Sequence, residues 1–260
     1  MGNRLQNKVA IVTGAGRGIG KEIVSQFLRE GCSVAAISRG MESLEQAKHE
    51  IFDKIAPERV MIHQLDIVHK EDVKTMVQCV KERFGRVDIL VNNAGANFFD
   101  EPVTLSDEIW EKCLDVNLKG SWNCSQAVLP LFLERNYGHV VNIASIHGHK
   151  IIRDSFPYPV AKHGLLGMTK ALGIQYADKG VRFNSISPGL ILTPAAQRYF
   201  DSQEDPVAAE KEQAELLPCK RIGTSQEVAL TALFLASDEA RFINATDILI
   251  DGGRSQVYHD

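Results

Sequence analysis

Short apolar runs alternate with longer amphipathic segments along almost the whole chain. The runs are rich in β-branched residues and lack a polar residue at every second position, which is typical of strands buried on both faces of a sheet. Strands are predicted at 8–14, 32–38, 60–66, 88–95, 139–145, 181–187 and 247–251. Helices are predicted between them at 18–30, 42–55, 70–84, 106–135, 159–177 and 226–236. This alternation predicts right-handed βαβ units and an α/β fold, with one doubly wound, seven-stranded parallel sheet covered by helices on both faces.

The pattern contains no linker, internal repeat or low-complexity segment, so we predict that residues 1–260 form a single domain. One segment, 189–224, lies outside the strand–helix alternation and is polar in its middle. Long excursions of this kind from a compact domain are commonly binding loops or lids. We therefore predict that 189–224 is largely helical and covers a substrate.

The composition excludes several classes of function. The chain carries a net charge of −4 and has no basic stretch, which argues against nucleic-acid binding. No apolar run approaches the roughly 20 residues that a membrane helix needs, and the first residues lack the apolar core of a secretory signal. The five cysteines are odd in number without CxxC spacing, and the eight histidines have no metal-ligand spacing. We expect free thiols, no metal site and a cytoplasmic protein that acts on a small molecule.

The first predicted strand ends in the glycine-rich sequence TGAGRGIG. Gly14, Gly18 and Gly20 permit a tight turn and let a pyrophosphate approach the backbone closely. The following helix presents free N–H groups and the positive end of its dipole to such an anion. With Arg17 and Ile19, these glycines form the predicted phosphate-binding turn of a Rossmann-type nucleotide fold.

The end of the second strand indicates which dinucleotide binds. NAD(H)-binding folds carry an acidic residue about 20 residues after the glycines, where it bonds the ribose 2′-hydroxyl and repels a 2′-phosphate. This chain has Ser38 and Arg39 there, a hydroxyl and a planar guanidinium that both suit a phosphate. We therefore predict NADP(H) as the cofactor in preference to NAD(H). The strand-end residues expected near the adenine and the ribose are Asp66, Ile67, Asn93, Ala94 and Gly95.

Three residues at and after the end of the fifth predicted strand carry candidate chemistry. Tyr158 and Lys162 are four residues apart and share one helix face, while Ser145 ends the strand. A phenol is too weak an acid for efficient proton transfer at neutral pH, and a neighbouring ammonium lowers its pKa. We expect Lys162 to act on Tyr158 in this way and to bind the nicotinamide ribose. We expect Ser145 to donate a hydrogen bond to a substrate oxygen as that oxygen gains negative charge.

In order along the chain, TGAGRGIG, NNAG, Ser145, YPVAK, SPGLILT and the terminal DGG resemble the motifs of the single-domain short-chain dehydrogenase/reductase family. The motifs span nearly the whole chain. The resemblance implies that Tyr158 gives and accepts the proton, that Ser145 positions the substrate oxygen and that Lys162 binds ribose. It also implies that Asn117 completes a catalytic tetrad through a water-linked proton relay. Taken alone, an asparagine inside a helical segment would be interpreted as a kink or a capping side chain.

Further expectations follow from the same resemblance. The family's nicotinamide-binding segment corresponds here to Pro188, Gly189, Ile191 and Thr193. Members usually assemble as tetramers through the helix that carries the tyrosine and through the last strand, so we expect a homotetramer. The chain departs from the family at Asn244, where glycine is usual. Because asparagine tolerates a left-handed turn, we expect the turn to be preserved.

The substrate is less well defined by the sequence than the cofactor. Residues that follow the fourth and fifth strands are expected to line its pocket, namely Asn97, Phe98, His147 and Phe156. This mixture of polar and aromatic side chains fits a sugar or polyol as well as a 3-oxoacyl thioester. We predict an NADP(H)-dependent oxidoreductase that transfers hydride between the nicotinamide and a carbonyl or secondary alcohol of a small substrate.

Two alternatives stay open at this stage. The segments AISRG, GANFF, KRIG and DGGRS are similar to parts of enoyl-thioester reductases of the same family, which reduce a C=C bond and often alter the tyrosine motif. A catalytically silent nucleotide sensor is the second alternative, although a sensor gains nothing from keeping Ser145, Tyr158 and Lys162 together. The intact set of residues favours carbonyl or alcohol chemistry over both alternatives.

Overall fold

A seven-stranded parallel sheet forms the centre of the protein in a computed structural model that describes residues 3–258. All seven predicted strands are present in this sheet, each within two or three residues of its expected ends. They are β1 (Val9–Thr13), β2 (Ser33–Ser38), β3 (Val60–Gln64), β4 (Ile89–Asn92), β5 (Gly138–Ile143), β6 (Val181–Pro188) and β9 (Asp247–Ile250). A separate two-stranded sheet pairs β7 (Ile191–Leu192) with β8 (Gly223–Thr224).

The spatial order of the strands is β3-β2-β1-β4-β5-β6-β9, and every pair is parallel. The order reverses between β1 and β4, where the chain has moved from one half of the sheet to the other. A crevice forms outside the carboxyl ends of the strands at such a reversal, and ligands of doubly wound sheets bind there. The fold therefore confirms the predicted Rossmann-type architecture and directs attention to this edge of the sheet.

Helices cover both faces of the sheet, as the alternating pattern predicts. On one face, α1 and α10 pack against the strands around Phe27 and Leu233, and on the other α4 and α6 pack around Met76 and Phe132. The helices are α1 (Gly18–Arg29), α2 (Met41–Ala47), α3 (Asp53–Ile55), α4 (Lys70–Phe84), α5 (Asp107–Leu114), α6 (Gly120–Arg135), α7 (Tyr158–Gln175), α8 (Pro194–Asp201), α9 (Pro206–Glu215) and α10 (Ser225–Ala236). No helix of the described residues is long and apolar enough to cross a membrane.

Two predicted helices are interrupted. The segment predicted as one helix at 106–135 is divided into α5 and α6 by a π-helical turn at Asp115–Lys119. A similar turn at Lys48–Phe52 separates α2 from α3. A π-turn widens the helix by one residue and is frequent at functional sites. The first of these turns contains Asn117, and it therefore lies within the candidate active site.

The excursion at 189–224 contains β7, α8, α9 and β8, so the helical content predicted for it is confirmed. The turn before the last strand differs from our expectation. Asn244 does not adopt the left-handed conformation; its neighbour Ala245 does, with φ of +56°. Asn244 instead accepts a hydrogen bond from the Phe183 backbone N–H at 3.0 Å and donates one to the Gly173 carbonyl at 2.8 Å. The amide thus joins β6 to α7, a role that glycine cannot fill.

Candidate active site

The glycine-rich turn after β1 has the backbone geometry that a close-approaching phosphate requires. Gly14 and Gly18 have φ of +67° and +55°, a region that L-residues with side chains rarely adopt. A Cβ atom placed on Gly20 would lie 2.3 Å from the Gly14 carbonyl oxygen, so the first turn of α1 packs directly against the loop. Arg17 precedes α1 without a side-chain cap, which leaves the first N–H groups of the helix available to an anion.

The turn opens into a cavity of about 260 Å³ at the point where the strand order reverses. This cavity brings together twelve of the residues predicted to bind the cofactor. They are Gly14, Arg17, Gly18, Ile19, Ser38, Arg39, Asp66, Ile67, Asn93, Ala94, Gly95 and Thr193. Its lining also includes five residues that the sequence analysis did not single out, namely Ile37, Leu65, Val116, Pro194 and Ala195. Val116 precedes Asn117 in the DVNLKG motif, which is the one signal that could have identified it.

Arg39 is placed as the cofactor prediction requires. Its side chain is 64% exposed beside the cavity, with one guanidinium nitrogen 3.9 Å from the Asp66 carboxylate. The Gln64 amide donates a hydrogen bond to the Arg39 carbonyl at 2.8 Å and so fixes the end of β2. The described residues around Ser38 and Arg39 thus supply a hydroxyl and two arginines, counting Arg17, where a ribose 2′-phosphate would lie. This set of side chains fits NADP(H).

Asn93 holds the loops around the cavity in place. Its side-chain amide donates to the carbonyls of Thr13 and Gly14 at 3.0 and 3.2 Å. The Thr13 hydroxyl in turn accepts from the backbone N–H groups of Asn93 and Ala94 at 3.1 and 3.0 Å. These bonds tie the end of β4 to the phosphate turn. Both hydrogens of the Asn93 amide group therefore bond to the chain itself.

Ser145, Tyr158 and Lys162 come together at the carboxyl end of β5. Ser145 follows the strand, Tyr158 is the first residue of α7, and Lys162 lies one turn further along the same helix. All three side chains are buried. The Lys162 ammonium lies 5.4 Å from the centre of the Tyr158 ring and donates to the Ile143 carbonyl at 3.0 Å.

Asn117 is held rigidly in the π-turn between α5 and α6. Its amide nitrogen donates to the carbonyls of Ala96 and Cys113 at 2.9 and 3.0 Å, and its amide oxygen accepts from the Ala96 N–H at 3.1 Å. Gly95 connects this residue to the rest of the site. A Cβ atom on Gly95 would lie 2.9 Å from the Asn117 amide oxygen and 3.6 Å from the Lys162 ammonium. Because Gly95 also lines the cofactor cavity, the cavity and the four candidate catalytic residues are contiguous.

The structure corrects our expectation for the pKa of Tyr158. Burial raises the pKa of the phenol to about 12, although the hydrogen bond from Ser145 acts in the opposite direction. Lys162 is not among the groups that shift it. Burial also lowers the pKa of Lys162 from 10.5 to about 8, because desolvation disfavours the charged ammonium. In the protein without a bound ligand, desolvation therefore outweighs the attraction between the ammonium and a phenolate.

The buried ammonium leads to a prediction about stability. Because folding lowers the pKa of Lys162 to about 8, the folded protein binds this proton more weakly than the unfolded chain does. The resulting destabilisation is complete below pH 8 and disappears as the pH rises through 10.5. Lys162→Met should therefore raise the free energy of unfolding of the ligand-free protein by about 2 kcal/mol at pH 7, after allowing for the lost bond to Ile143.

Denaturant unfolding at several pH values measures this effect. The difference between Lys162→Met and wild type should shrink toward zero between pH 8 and pH 10.5. Lys170→Met provides the matched control, since Lys170 is an exposed lysine on the same helix. A stabilisation that is equal in both variants, or independent of pH, would contradict an uncompensated charge at Lys162.

The remaining predicted cofactor residues lie outside the cavity lining. Pro188 ends β6, and a Cβ atom on the following Gly189 would lie 2.9 Å from the Asp251 Cβ. The side chain of Ile191 is buried in the core shared by α1 and α10. Only the backbone of Ile191 is therefore available to a ligand, whereas Thr193 of the same segment lines the cavity. Among the described residues, no group of three or more histidine, cysteine or acidic side chains could hold a metal ion.

The aromatic side chains near Tyr158 differ in part from those predicted. Phe98 is half-buried and packs against the cluster formed by Cys113, Tyr158 and Ala161, while its neighbour Phe99 is 47% exposed. Phe99 has its ring centre 5.9 Å from that of Tyr158 and 6.2 Å from that of His147. Both phenylalanines therefore lie near Tyr158, and the sequence alone does not show that Phe99 is the more exposed of the two.

The other predicted substrate residues lie around this aromatic group. Asn97 is exposed, and Phe156 is half-buried with its ring centre 5.8 Å from that of Trp110. The backbone carbonyl of Phe156 accepts from the Asp100 N–H at 2.7 Å, and Phe99 forms a β-bridge with Pro157. The segments after β4 and β5 are thus fastened together beside Tyr158.

Comparison with known sequences adds to this geometry. A family model described as enoyl-(acyl carrier protein) reductase matches residues 14–255. The levodione reductase of Leifsonia aquatica is 33% identical to the chain over 98% of it and 97% of the relative. A 3-oxoacyl-[acyl-carrier-protein] reductase of Thermotoga maritima is 34% identical over 96% of the chain and 98% of the relative.

Solved structures show the same similarity. A structure described as a short-chain dehydrogenase/reductase from Burkholderia xenovorans superposes with a TM-score of 0.93 at 35% identity, covering 99% of this chain and 100% of the other. ElxO, solved with NADP bound, superposes with a TM-score of 0.90 at 31% identity, covering 96% and 99% of the two chains. The similarity extends over essentially the full length of each protein.

Proposed function

The chain belongs to the short-chain dehydrogenase/reductase family, and from this premise we propose that it transfers hydride between NADP(H) and a carbonyl or secondary alcohol of a small substrate. As a member of this family it is an oxidoreductase. The observation that carries the proposal is the contiguity of Ser145, Tyr158 and Lys162 with a cavity that has the geometry and charge for a dinucleotide phosphate.

The assignment of NADP(H) is supported by the end of β2. The residues at the end of β2 are Ser38 and Arg39, and neither is acidic. Arg17 adds a second positive charge beside the same cavity. The glycine turn and the first N–H groups of α1 would hold the pyrophosphate, with Asp66 and Ile67 near the adenine. ElxO, which superposes over nearly its whole length, binds NADP, and this supports the same choice.

The bound nicotinamide supplies or accepts the hydride, and the chain's own residues manage the substrate oxygen and its proton. Tyr158 is protonated at neutral pH because burial holds its pKa near 12, so it is ready to donate to a carbonyl oxygen that becomes an alkoxide. Ser145, which is buried after the end of β5, donates to the same oxygen and stabilises its developing charge. Lys162 adds a positive charge near the phenol, which favours loss of the tyrosine proton in the transition state.

In this proposal, the role of Asn117 depends on where its side chain is held. Its bonds to Ala96 and Cys113 fix the π-turn beside Lys162 and Gly95. In the family resemblance, the corresponding asparagine takes part in a proton relay through water. The orientation of its amide, fixed by three hydrogen bonds, supports a role in the same tetrad.

Enoyl-thioester reduction is the second candidate, because the matching family model is described as an enoyl reductase. Two observations support carbonyl chemistry instead. The chain keeps Ser145, Tyr158 and Lys162 together at the carboxyl end of β5, and two similar relatives are named for reduction of a levodione and of a 3-oxoacyl group. A silent nucleotide sensor is disfavoured by the complete tetrad.

The proposal extends to the rest of the molecule. Residues 1–260 form one domain, and α8 and α9 within 189–224 act as a substrate lid over Asn97, Phe98, His147 and Phe156. A homotetramer is supported by apolar side chains exposed on the expected interface elements, namely Val160 and Ile174 on α7 and Leu249 on β9. A cytoplasmic location is supported by five free cysteines among the described residues, since free thiols persist in a reducing compartment.

Purified protein tests the proposed function directly. Fluorescence titration should show NADPH binding at least about tenfold more tightly than NADH, because a charged contact to the 2′-phosphate adds affinity. NADPH oxidation is then measured with ketones, sugars, a 3-oxoacyl thioester and an enoyl thioester. Turnover of a carbonyl substrate and not of the enoyl thioester is expected. Preference for NADH would refute the cofactor assignment, and tight binding without any turnover would favour the sensor.

A further inference from the structure

His147 lies two residues after Ser145 and directly beside the reacting end of the site. It belongs to the short 3-10 turn Ile146–Gly148, and its backbone N–H donates to the Ser145 hydroxyl at 3.2 Å. Its ring is packed edge to face with Tyr158, with centres 5.7 Å apart and planes at 77°. Phe99 closes the group from the other side. The imidazole is therefore held in one orientation by rings that offer it no hydrogen bond.

The hydrogen-bonding capacity of this imidazole is unused. Its Nδ1 is buried and has no hydrogen-bond partner among the described residues. Its Nε2 also forms no hydrogen bond with them, but this nitrogen is not buried. Burial lowers the pKa of His147, so the ring is neutral and carries a single N–H group. A buried N–H without a partner is rarer than a buried acceptor without one, which favours the proton on the accessible Nε2.

His149, the next histidine of the same loop, shows what a satisfied imidazole looks like in this protein. Its Nε2 lies 2.7 Å from a carboxylate oxygen of Asp247, and the Ser185 hydroxyl bonds the other oxygen. That ring fastens the loop to β9. His147 has no such partner, although it lies closer to the tetrad. The contrast indicates that the polar edge of His147 serves a molecule other than the chain itself.

We propose that His147 determines substrate specificity by donating a hydrogen bond from Nε2 to a second oxygen of the substrate while Tyr158 and Ser145 hold the first. This inference rests on the proposed function. It assigns the substrates to carbonyl compounds that carry another hydroxyl or carbonyl group, such as hydroxyketones and the polyols formed from them. A plain ketone leaves the imidazole N–H without a partner in a half-buried site, and it is discriminated against for that reason.

Matched pairs of ketones test the inference, with NADPH oxidation as the readout. Cyclohexanone is compared with its monohydroxylated ring isomers, and butanone with acetoin. Wild type should reduce the best hydroxylated partner about tenfold more efficiently than the plain ketone, as one hydrogen bond in a half-buried site provides. His147→Phe keeps the ring contacts with Tyr158 and Phe99 and should remove most of that preference. His147→Gln, which retains a donor near the position of Nε2, should restore part of it.

His149→Phe is the matched control, because it removes an imidazole from the same loop without changing the polar edge that faces the tetrad. It should leave the preference between paired ketones as in wild type. NADPH affinity, measured for every variant, reports on the fold of the cofactor cavity.

Several outcomes would overturn the inference. The first is that wild type reduces both members of each ketone pair equally well. The second is that His147→Phe loses activity equally on both members. The third is that wild type reduces the 3-oxoacyl thioester but neither ketone pair. Binding of NADPH with no turnover of any carbonyl compound would instead refute the proposed function, and the inference with it.

Discussion

Tyr158→Phe is expected to lower kcat/KM for carbonyl reduction about 10³-fold or more, with the affinity for NADPH remaining within about twofold of wild type. The substitution removes one oxygen and keeps a ring that packs against Phe99 and His147. At neutral pH that oxygen carries a proton, because burial raises the pKa of the phenol to about 12. Without it, Ser145 can still bond the substrate oxygen, but the proposed proton donor is missing.

Initial rates and fluorescence titration measure the two quantities separately. Tyr176→Phe is the matched control, because Tyr176 lies at the far end of the same helix, α7. It should leave both quantities unchanged. If Tyr158→Phe retained turnover, another group would have to be the proton donor. If it lost NADPH binding to the same degree as turnover, the defect would lie in the fold of the site.

Arg39→Ala is expected to raise the Kd of NADPH about 30-fold and to change the Kd of NADH little. The guanidinium is exposed beside the cavity and has only a weak ion pair with Asp66 at 3.9 Å, so it is free to turn toward a phosphate. A charge-assisted hydrogen bond of this kind contributes about 2 kcal/mol, which corresponds to the expected change in affinity. NADH lacks the 2′-phosphate and gains nothing from it.

The ratio of the two dissociation constants is the quantity to measure, at one fixed ionic strength because exposed charges are screened by salt. Arg29→Ala, the same substitution at the C-terminal end of α1 and outside the cavity lining, is the control and should not change the ratio. Equal weakening of both nucleotides in Arg39→Ala would show that the guanidinium contacts the adenine or a shared phosphate. The selectivity would then have to come from Ser38 and Arg17.

The order and type of the main elements could be predicted from the sequence because both follow from local physical rules. Strands such as Val9–Thr13 are buried on both faces, so their apolar runs are unbroken and easy to recognise. Helix α4 begins and ends where its pattern predicts, at Lys70 and Phe84. It ends there because a glycine in the left-handed conformation follows it. Parallel strands place their carboxyl ends at one edge, so the location of the site followed as well.

Features that depend on residues close together in the sequence could also be predicted. Tyr158 and Lys162 share a helix face by their spacing, and the glycine turn is encoded by Gly14 and Gly18 in left-handed conformations. The motif order along the chain identified the family before the fold was known. These features depend on residues only a few positions apart, and the identity of such residues is read directly from the sequence.

Tertiary structure decided what depends on contacts between distant segments. The position of Phe99 beside Tyr158 is set by its β-bridge with Pro157, 58 positions further along the chain. The break in the long helix at Asn117 is fixed by bonds to Ala96 on a different loop. Such partners are brought together only when the sheet forms, and no local pattern encodes them.

The protonation of the site was decided in the same way. From spacing alone, Lys162 was expected to lower the pKa of Tyr158, yet the fold buries both groups so deeply that desolvation governs each of them. Hydrogen bonding also distinguishes His147, whose ring has no hydrogen-bond partner among the described residues, from His149, which pairs with Asp247. The sequence by itself determined the fold and the family, and it supplied the candidates for the reacting side chains. Their charge states and free hydrogen-bonding groups required the tertiary structure, because solvent exclusion is a property of the packed molecule and not of any segment.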